Sequence, residues 1–177
     1  MRLPILLLLS ASLAWPGLAT AAEPSEFAGH YELEAGDKNE VAMEAAIEKV
    51  VLAMPFIFRA IARQKIRNVA RFPPTFIMSY GEGRMTIASD VTDKEEGWTT
   101  DLARNPLEIA GHRGEPIRIQ RWMEDGQLHS LGSSQRGTHK NVFRLEEEGR
   151  RMVLSVTISN QRLSQPLSFE VHYLRVE

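Results

Sequence analysis

The chain has 177 residues and no cysteine, which excludes disulfides, iron–sulfur clusters, thiolate zinc sites and cysteine nucleophiles. Its 21 Lys and Arg stand against 23 Asp and Glu, so the surface as a whole is not built for nucleic acid. With 43% hydrophobic residues, it is long enough to bury one proper core.

Residues 1–22 read as a secretory signal. Arg2 supplies a positive start, Ile5-Leu6-Leu7-Leu8-Leu9 begins an apolar stretch, and Ala19-Thr20-Ala21 is a small-x-small cleavage site, with cleavage after Ala21 or Ala22. Pro16 and Gly17 interrupt the stretch, which is too short for a good membrane span. With no Cys to anchor a lipoprotein, residues 23–177 are expected to be one exported domain, in a bacterial periplasm or secreted.

Glu26–Glu34 reads as a strand with Phe27, Tyr31 and Leu33 on one face, and 35–38 as a turn. Residues 39–71 then carry the only long helical signal. Glu40–Ala53 has an apolar stripe of Met43, Ile47, Val50 and Val51, with Asn39 as its expected N-cap. Pro55 breaks the run and opens a second helix to about Ala70. In that helix Arg59, Arg63 and Arg67 recur every four residues and so line one face, with Lys65 nearby. The row is either a solvated face or a contact for an anionic membrane surface or a partner. Phe72-Pro73-Pro74 ends the helix.

The rest is a meander. Strands are expected over Thr75–Tyr80, Arg84–Ser89, Gly97–Ala103, Leu107–His112, Ile117–Met123, Gln127–Leu131, Thr138–Leu145, Arg151–Ser159 and Pro166–Val176. Gly81-Glu82-Gly83 and Glu124-Asp125-Gly126 mark hairpins. Met152, Leu154, Val156 and Ile158 alternate onto one face, as do Leu167, Phe169, Val171 and Tyr173. The fold class is therefore mainly β, an antiparallel barrel of about ten strands with a two-helix lid after the first strand. The apolar side of the second helix, Ile57, Phe58 and Ile61, is expected to pack over the barrel mouth.

No catalytic, metal or cofactor motif emerges. His30, His112, His129, His139 and His172 lack metal spacing, although His129 and His139 could meet on neighbouring strands. Ser133 and Ser134 lack a nucleophile elbow. Asp90, Asp93, Glu95 and Glu96 lack a calcium-loop spacing and read as a solvated turn. One polar residue on an apolar strand remains. Arg121 alternates with Ile117, Ile119 and Met123, so it points inward if they do, and it then needs a ligand anion or a partner acid. Tyr173 shares the apolar face of the last strand and would present its hydroxyl to the same anion, with Arg175 continuing that face toward the rim.

This order of one strand, two helices and about nine strands resembles the fatty-acid-binding proteins, within the calycin barrels. Gly29-His30-Tyr31 is similar to that family's Gly-x-aromatic, and Asp125-Gly126 and Gly149 fall at turns it uses. Asn141-Val142-Phe143-Arg144-Leu145 resembles the segment that supplies an inward arginine, which implies Arg144 as a ligand contact, although Phe143 and Leu145 flank it on the opposite face. Where the family ends in Arg-x-Tyr, this chain has Val171 and Tyr173, so the carboxylate clamp is broken. The resemblance implies a non-catalytic monomer that binds a small hydrophobic or amphiphilic ligand through Arg121, Arg144, Tyr173 and Arg175. The rival expectation is an envelope protein with a filled barrel whose basic helices dock on a partner or membrane.

Overall fold

The computed structural model describes residues 21–89, 97–111 and 114–176. Most of the expected leader, the acidic cluster Asp90, Asp93, Glu95 and Glu96, and His112 lie outside the described residues. Ten strands follow one another in a single antiparallel sheet: β1 (Gly29–Leu33), β2 (Thr75–Gly81), β3 (Arg84–Ser89), β4 (Trp98–Asp101), β5 (Leu107–Ala110), β6 (Pro116–Glu124), β7 (Gln127–Ser134), β8 (Gly137–Glu146), β9 (Arg151–Ser159) and β10 (Leu167–Val176). Two helices, α1 (Lys38–Leu52) and α2 (Arg59–Val69), separate β1 from β2.

The sheet order β4-β3-β2-β1-β10-β9-β8-β7-β6-β5 curls it into a nearly closed barrel, with β1 joining its two halves. Tight turns hold the register. Glu82-Gly83 and Asp125-Gly126 both take positive φ at the two central positions, the geometry that matches strand twist in a two-residue hairpin. β4 and β5 do not pair. Instead the chain after β4 reaches β6: Ala103 bridges Trp122, Arg104 N–H donates to the Arg121 carbonyl at 3.2 Å, and Gln120 Nε2 donates to the Arg104 carbonyl at 2.7 Å.

One end of the barrel is solid. Alternating side chains from most strands meet there, among them Tyr31, Met78, Met85, Leu128, Phe143 and Met152, all buried. A 3-10 turn, Pro24–Phe27, lays Phe27 across that end, and Tyr31 Oη donates to the Phe27 carbonyl at 3.1 Å.

The opposite end carries the lid. β1 gives out at Leu33, leaving part of the β10 edge unpaired, and α1 takes its place. The link is Asn39, only 2% exposed. Its amide accepts from His172 N–H at 2.9 Å and donates to the His172 and Glu34 carbonyls at 3.3 and 3.4 Å. Asn39 therefore does not cap α1. It stands one residue inside the helix and completes the sheet edge as a peptide group would. Ile47, Val50 and Val51 of the expected stripe are buried below it. Pro55 ends the first helix as expected, and a 3-10 turn, Phe56–Phe58, leads into α2.

Replacing Asn39 with Ala leaves buried backbone groups of His172 unpaired. The expected result in a denaturant melt is a loss of about 1–3 kcal/mol, with faster amide exchange concentrated at His172 and the first turns of α1.

Candidate functional site

The strands fill the barrel only part-way, and the half beneath the lid is hollow. The cavity measures about 450 Å³, within the range of small-molecule sites. Its wall is mostly apolar, with Phe76, Ile87, Trp98, Ile119, Phe143 and Ile158 contributing from six strands. Strand register lays one polar row across it: Arg121 on β6 pairs with Ser130 on β7, which pairs with Asn141 on β8. The next row toward the mouth runs Ile119, Gly132, His139 and Ile158.

Arg121 dominates this wall. Its side chain is 2% exposed, and no carboxylate among the described residues pairs with it. Nη1 donates to the Met85 and Trp98 carbonyls at 2.9 and 2.6 Å, so the guanidinium reaches across the seam from β6 to β3 and β4. Nε is buried with no acceptor, as is Asn141 Oδ1 with no donor. Burial pushes the Arg121 guanidinium down to about 10, so it remains a cation at neutral pH. A buried charge left without a counter-ion is costly, and an anion delivered by a ligand would relieve that cost. His139 is surrounded by the chain yet open to solvent through the mouth. Burial pushes its imidazole below the ordinary value, against a smaller opposite effect of Asn141.

The structure does not bring the other three expected ligand contacts to this wall. Tyr173 does face inward, but in the filled part: it is fully buried, its ring meets Phe76 edge-on at 5.1 Å, and its hydroxyl donates to the Pro73 carbonyl at 2.9 Å. Arg175 lies at the solid end, donating to the Glu26 carbonyl and Tyr31 Oη with its guanidinium over the Tyr31 ring. Arg144 faces outward, because Phe143 beside it faces in, and it pairs with Glu146 at 2.9 Å. Ser130, Asn141 and Trp98 were not singled out from the sequence, and His139 was weighed only as a possible metal ligand beside His129. The signal for two of them was present: Asn141 is two residues from Phe143, and Ser130 is two from Leu128.

The arginine row of α2 is also spoken for. Arg59 donates to the Met54 and Leu52 carbonyls at 3.0 Å each, capping the end of α1. Arg63 forms a two-pronged pair with Glu48, and Arg67 does the same with Glu44 at 2.5 and 2.7 Å. These charges zip α2 to α1 and are not a free basic surface. That contact fixes the rotation of α2. Ile57, Phe58 and Ile61, expected over the mouth, are instead 74%, 56% and 59% exposed, and only Ile66 of the helix is buried.

His129 and His139 do not meet, because neighbouring registers put them on opposite faces. His129 lies outside the barrel, stacked on Trp122 with ring centres 5.0 Å apart, while Arg104 covers Trp122 from 4.4 Å. Among the described residues no group of three or more metal-ligating side chains converges.

Solved structures share this architecture. Fatty-acid-binding protein 1 of Echinococcus granulosus matches over 86% of this chain and 98% of its own, with a TM-score of 0.54 and 14% identity. The Schistosoma mansoni fatty acid binding protein in complex with arachidonic acid covers the same shares at a TM-score of 0.54 and 15% identity. Lipid binding protein 8 of Caenorhabditis elegans matches over 88% of this chain and 99% of its own, at 0.55 and 10%. The fold is that of the fatty-acid-binding proteins. No family model matches the chain, and no curated protein matches it.

Within this fold the α1–α2 pairs carry a pH dependence. Hydrogen bonds from Arg67 and Arg63 hold the Glu44 and Glu48 carboxyls below the ordinary 4.5. A lowered folded value means the pairs stabilise the lid fully above that ordinary value and lose their effect as pH falls through the lowered ones. Protection factors for amide exchange in α2, corrected for the intrinsic pH dependence of exchange, should therefore be lower at pH 3 than at pH 6, and the difference smaller in high salt because the pairs are solvent-screened. Arg63→Glu/Arg67→Glu should loosen α2 at pH 6, and adding Glu44→Arg/Glu48→Arg should restore it. Unchanged exchange in both variants would mean that the pairs do not hold the helices together.

Proposed function

We propose that this chain is an exported, non-catalytic carrier of a single-chain anionic amphiphile of the fatty-acid kind. The chain would lie in the apolar cavity, and its anionic head would take the free Nε–H of Arg121 with help from Ser130 and Asn141. The observation that carries this reading is Arg121 itself, a buried cation that no carboxylate among the described residues pairs with, facing a hollow of ligand size. The arachidonic acid bound to the Schistosoma mansoni protein is an amphiphile of this class in a barrel of the same architecture. The reading of residues 1–22 as a secretory signal supports export.

A second reading keeps the protein as an envelope component that docks through its lid. It draws on the tip between the helices, where Phe56 and Ile57 are 82% and 74% exposed, and no longer on the arginine row. Native mass spectrometry of protein purified from its own host separates the two. Co-purifying lipid supports the carrier, and a bare mass supports the docking protein.

The carrier reading has a direct test in tryptophan fluorescence. Trp98 lines the cavity whereas Trp122 lies outside, so a Trp122→Phe background in a chain without residues 1–22, which hold the third tryptophan, Trp15, isolates the informative residue. A chain-brominated fatty acid should quench Trp98. Arg121→Leu should weaken that acid by about 10- to 100-fold, the range of a hydrogen bond to a charged group, and barely affect its methyl ester. Equal losses for acid and ester would reduce Arg121 to a seam contact, and an unquenched Trp98 would leave the cavity without a ligand.

A further inference from the structure

A second hollow lies at the barrel mouth, between α2 and the β9–β10 connection, with a volume of about 460 Å³. Met54, Phe58, Ile61 and Ala62 line it from the helical side, and Leu163 and Leu167 from the other. Val69, Ile158 and Asn160 belong to both this hollow and the barrel cavity, so the two adjoin.

Charge distinguishes this hollow from a bare apolar groove. Lys65 and Arg162 line it, both exposed, and no acidic residue does. Neither cation has a side-chain hydrogen bond or ion pair among the described residues, whereas Arg63 and Arg67 on the same helix are both paired with α1. The helix therefore commits two of its charges inward and leaves Lys65 free beside the apolar side that α1 does not cover. Apolar side chains on two facing walls, exposed at Phe58 and Ile61 and half-buried at Met54, Ala62 and Leu163, suit an alkyl chain, and unpaired cations beside them suit an anionic head.

We propose that the hollow between α2 and the β9–β10 connection is a second lipid site. It takes the alkyl chain of an anionic amphiphile along Met54, Phe58, Ile61 and Leu163, with the head group on Lys65 and Arg162. This site goes beyond the carrier reading and does not depend on occupancy of the barrel. It holds its own molecule, its head meets water as well as the two cations, and its affinity falls with salt.

The test is a titration of the mature chain with dodecanoate labelled with ¹³C at the carboxyl carbon, below its micelle concentration, followed by NMR. Wild type should show two bound carboxyl resonances. Lys65→Glu/Arg162→Glu should lower the affinity behind one of them at least about tenfold at low salt, and Ala62→Trp should abolish it by filling the hollow. Arg121→Leu should remove only the other. Because Lys65 and Arg162 are exposed, the charge reversal remains informative if Ala62→Trp does not fold. A single resonance indifferent to Lys65→Glu/Arg162→Glu overturns the second site. So does a hollow that proves instead to be covered by a bilayer or a second copy, seen as vesicle association or dimerisation without a second resonance. A wild type showing only the resonance that depends on Lys65 and Arg162, with none that Arg121→Leu removes, would refute the carrier reading and leave the second site standing.

Discussion

A guanidinium that no acid among the described residues pairs with sits at the point where this barrel fails to close by strand pairing. β4 and β5 leave a seam, and Arg121 crosses it from β6, holding carbonyls of β3 and β4 with one terminal nitrogen. The same side chain puts a buried cation in a mostly apolar wall, whose other lining arginines among the described residues, Arg71 and Arg136, are exposed. Both facts follow from one position in the register. Arg121 is far enough along β6 to lie at the floor of the hollow, and β6 is the strand that the chain after β4 reaches. A leucine there would fill space without the cost of burying a charge, which is several kcal/mol for an unpaired ion. Backbone carbonyls meet part of that cost, and a ligand carboxylate on Nε would meet much of the rest.

The lid follows from two further substitutions of one contact for another. Asn39 acts as a strand residue inside a helix, which lets α1 continue a sheet edge that β1 abandons at Leu33. Arg63 and Arg67 act as interhelical ties. Since they must face Glu48 and Glu44, the apolar side of α2 cannot also face the barrel. The lid thus shields the mouth mainly through Ile47, Val50 and Val51 of α1, and α2 offers apolar surface outward.

Much of this was legible in the sequence. Most strands, both two-residue hairpins and the break at Pro55 are local signals, although Phe27, expected in the first strand, lies in a 3-10 turn before it. Alternation puts Arg121 on the face of Ile117, Ile119 and Met123, which the structure turns inward. What alternation does not give is depth. Tyr173 faces the interior as expected, but the register sets it among packed side chains, with its hydroxyl on Pro73. Arg144 shows alternation outweighing family likeness, since its neighbour Phe143 claims the inward face. The face of α2 was misjudged for a different reason. A four-residue repeat shows that Arg59, Arg63 and Arg67 are aligned, but their partners lie on α1 and on its last carbonyls, which periodicity within one helix does not reveal. Ser130 and Asn141 escaped notice although alternation with Leu128 and Phe143 turns them inward, because only strand pairing aligns them with Arg121.

The most direct measurement is the ¹H–¹⁵N resonance of the Arg121 Nε–H, assigned in the ligand-free chain and followed during titration with a long-chain fatty acid. If the buried guanidinium receives the carboxylate, that resonance moves strongly downfield and shows contact with the labelled carboxyl carbon at one equivalent. If the Arg121 resonance stays in place while those of Trp98 and His139 shift, the ligand occupies the cavity without using the buried charge, and the account given for Arg121 is wrong.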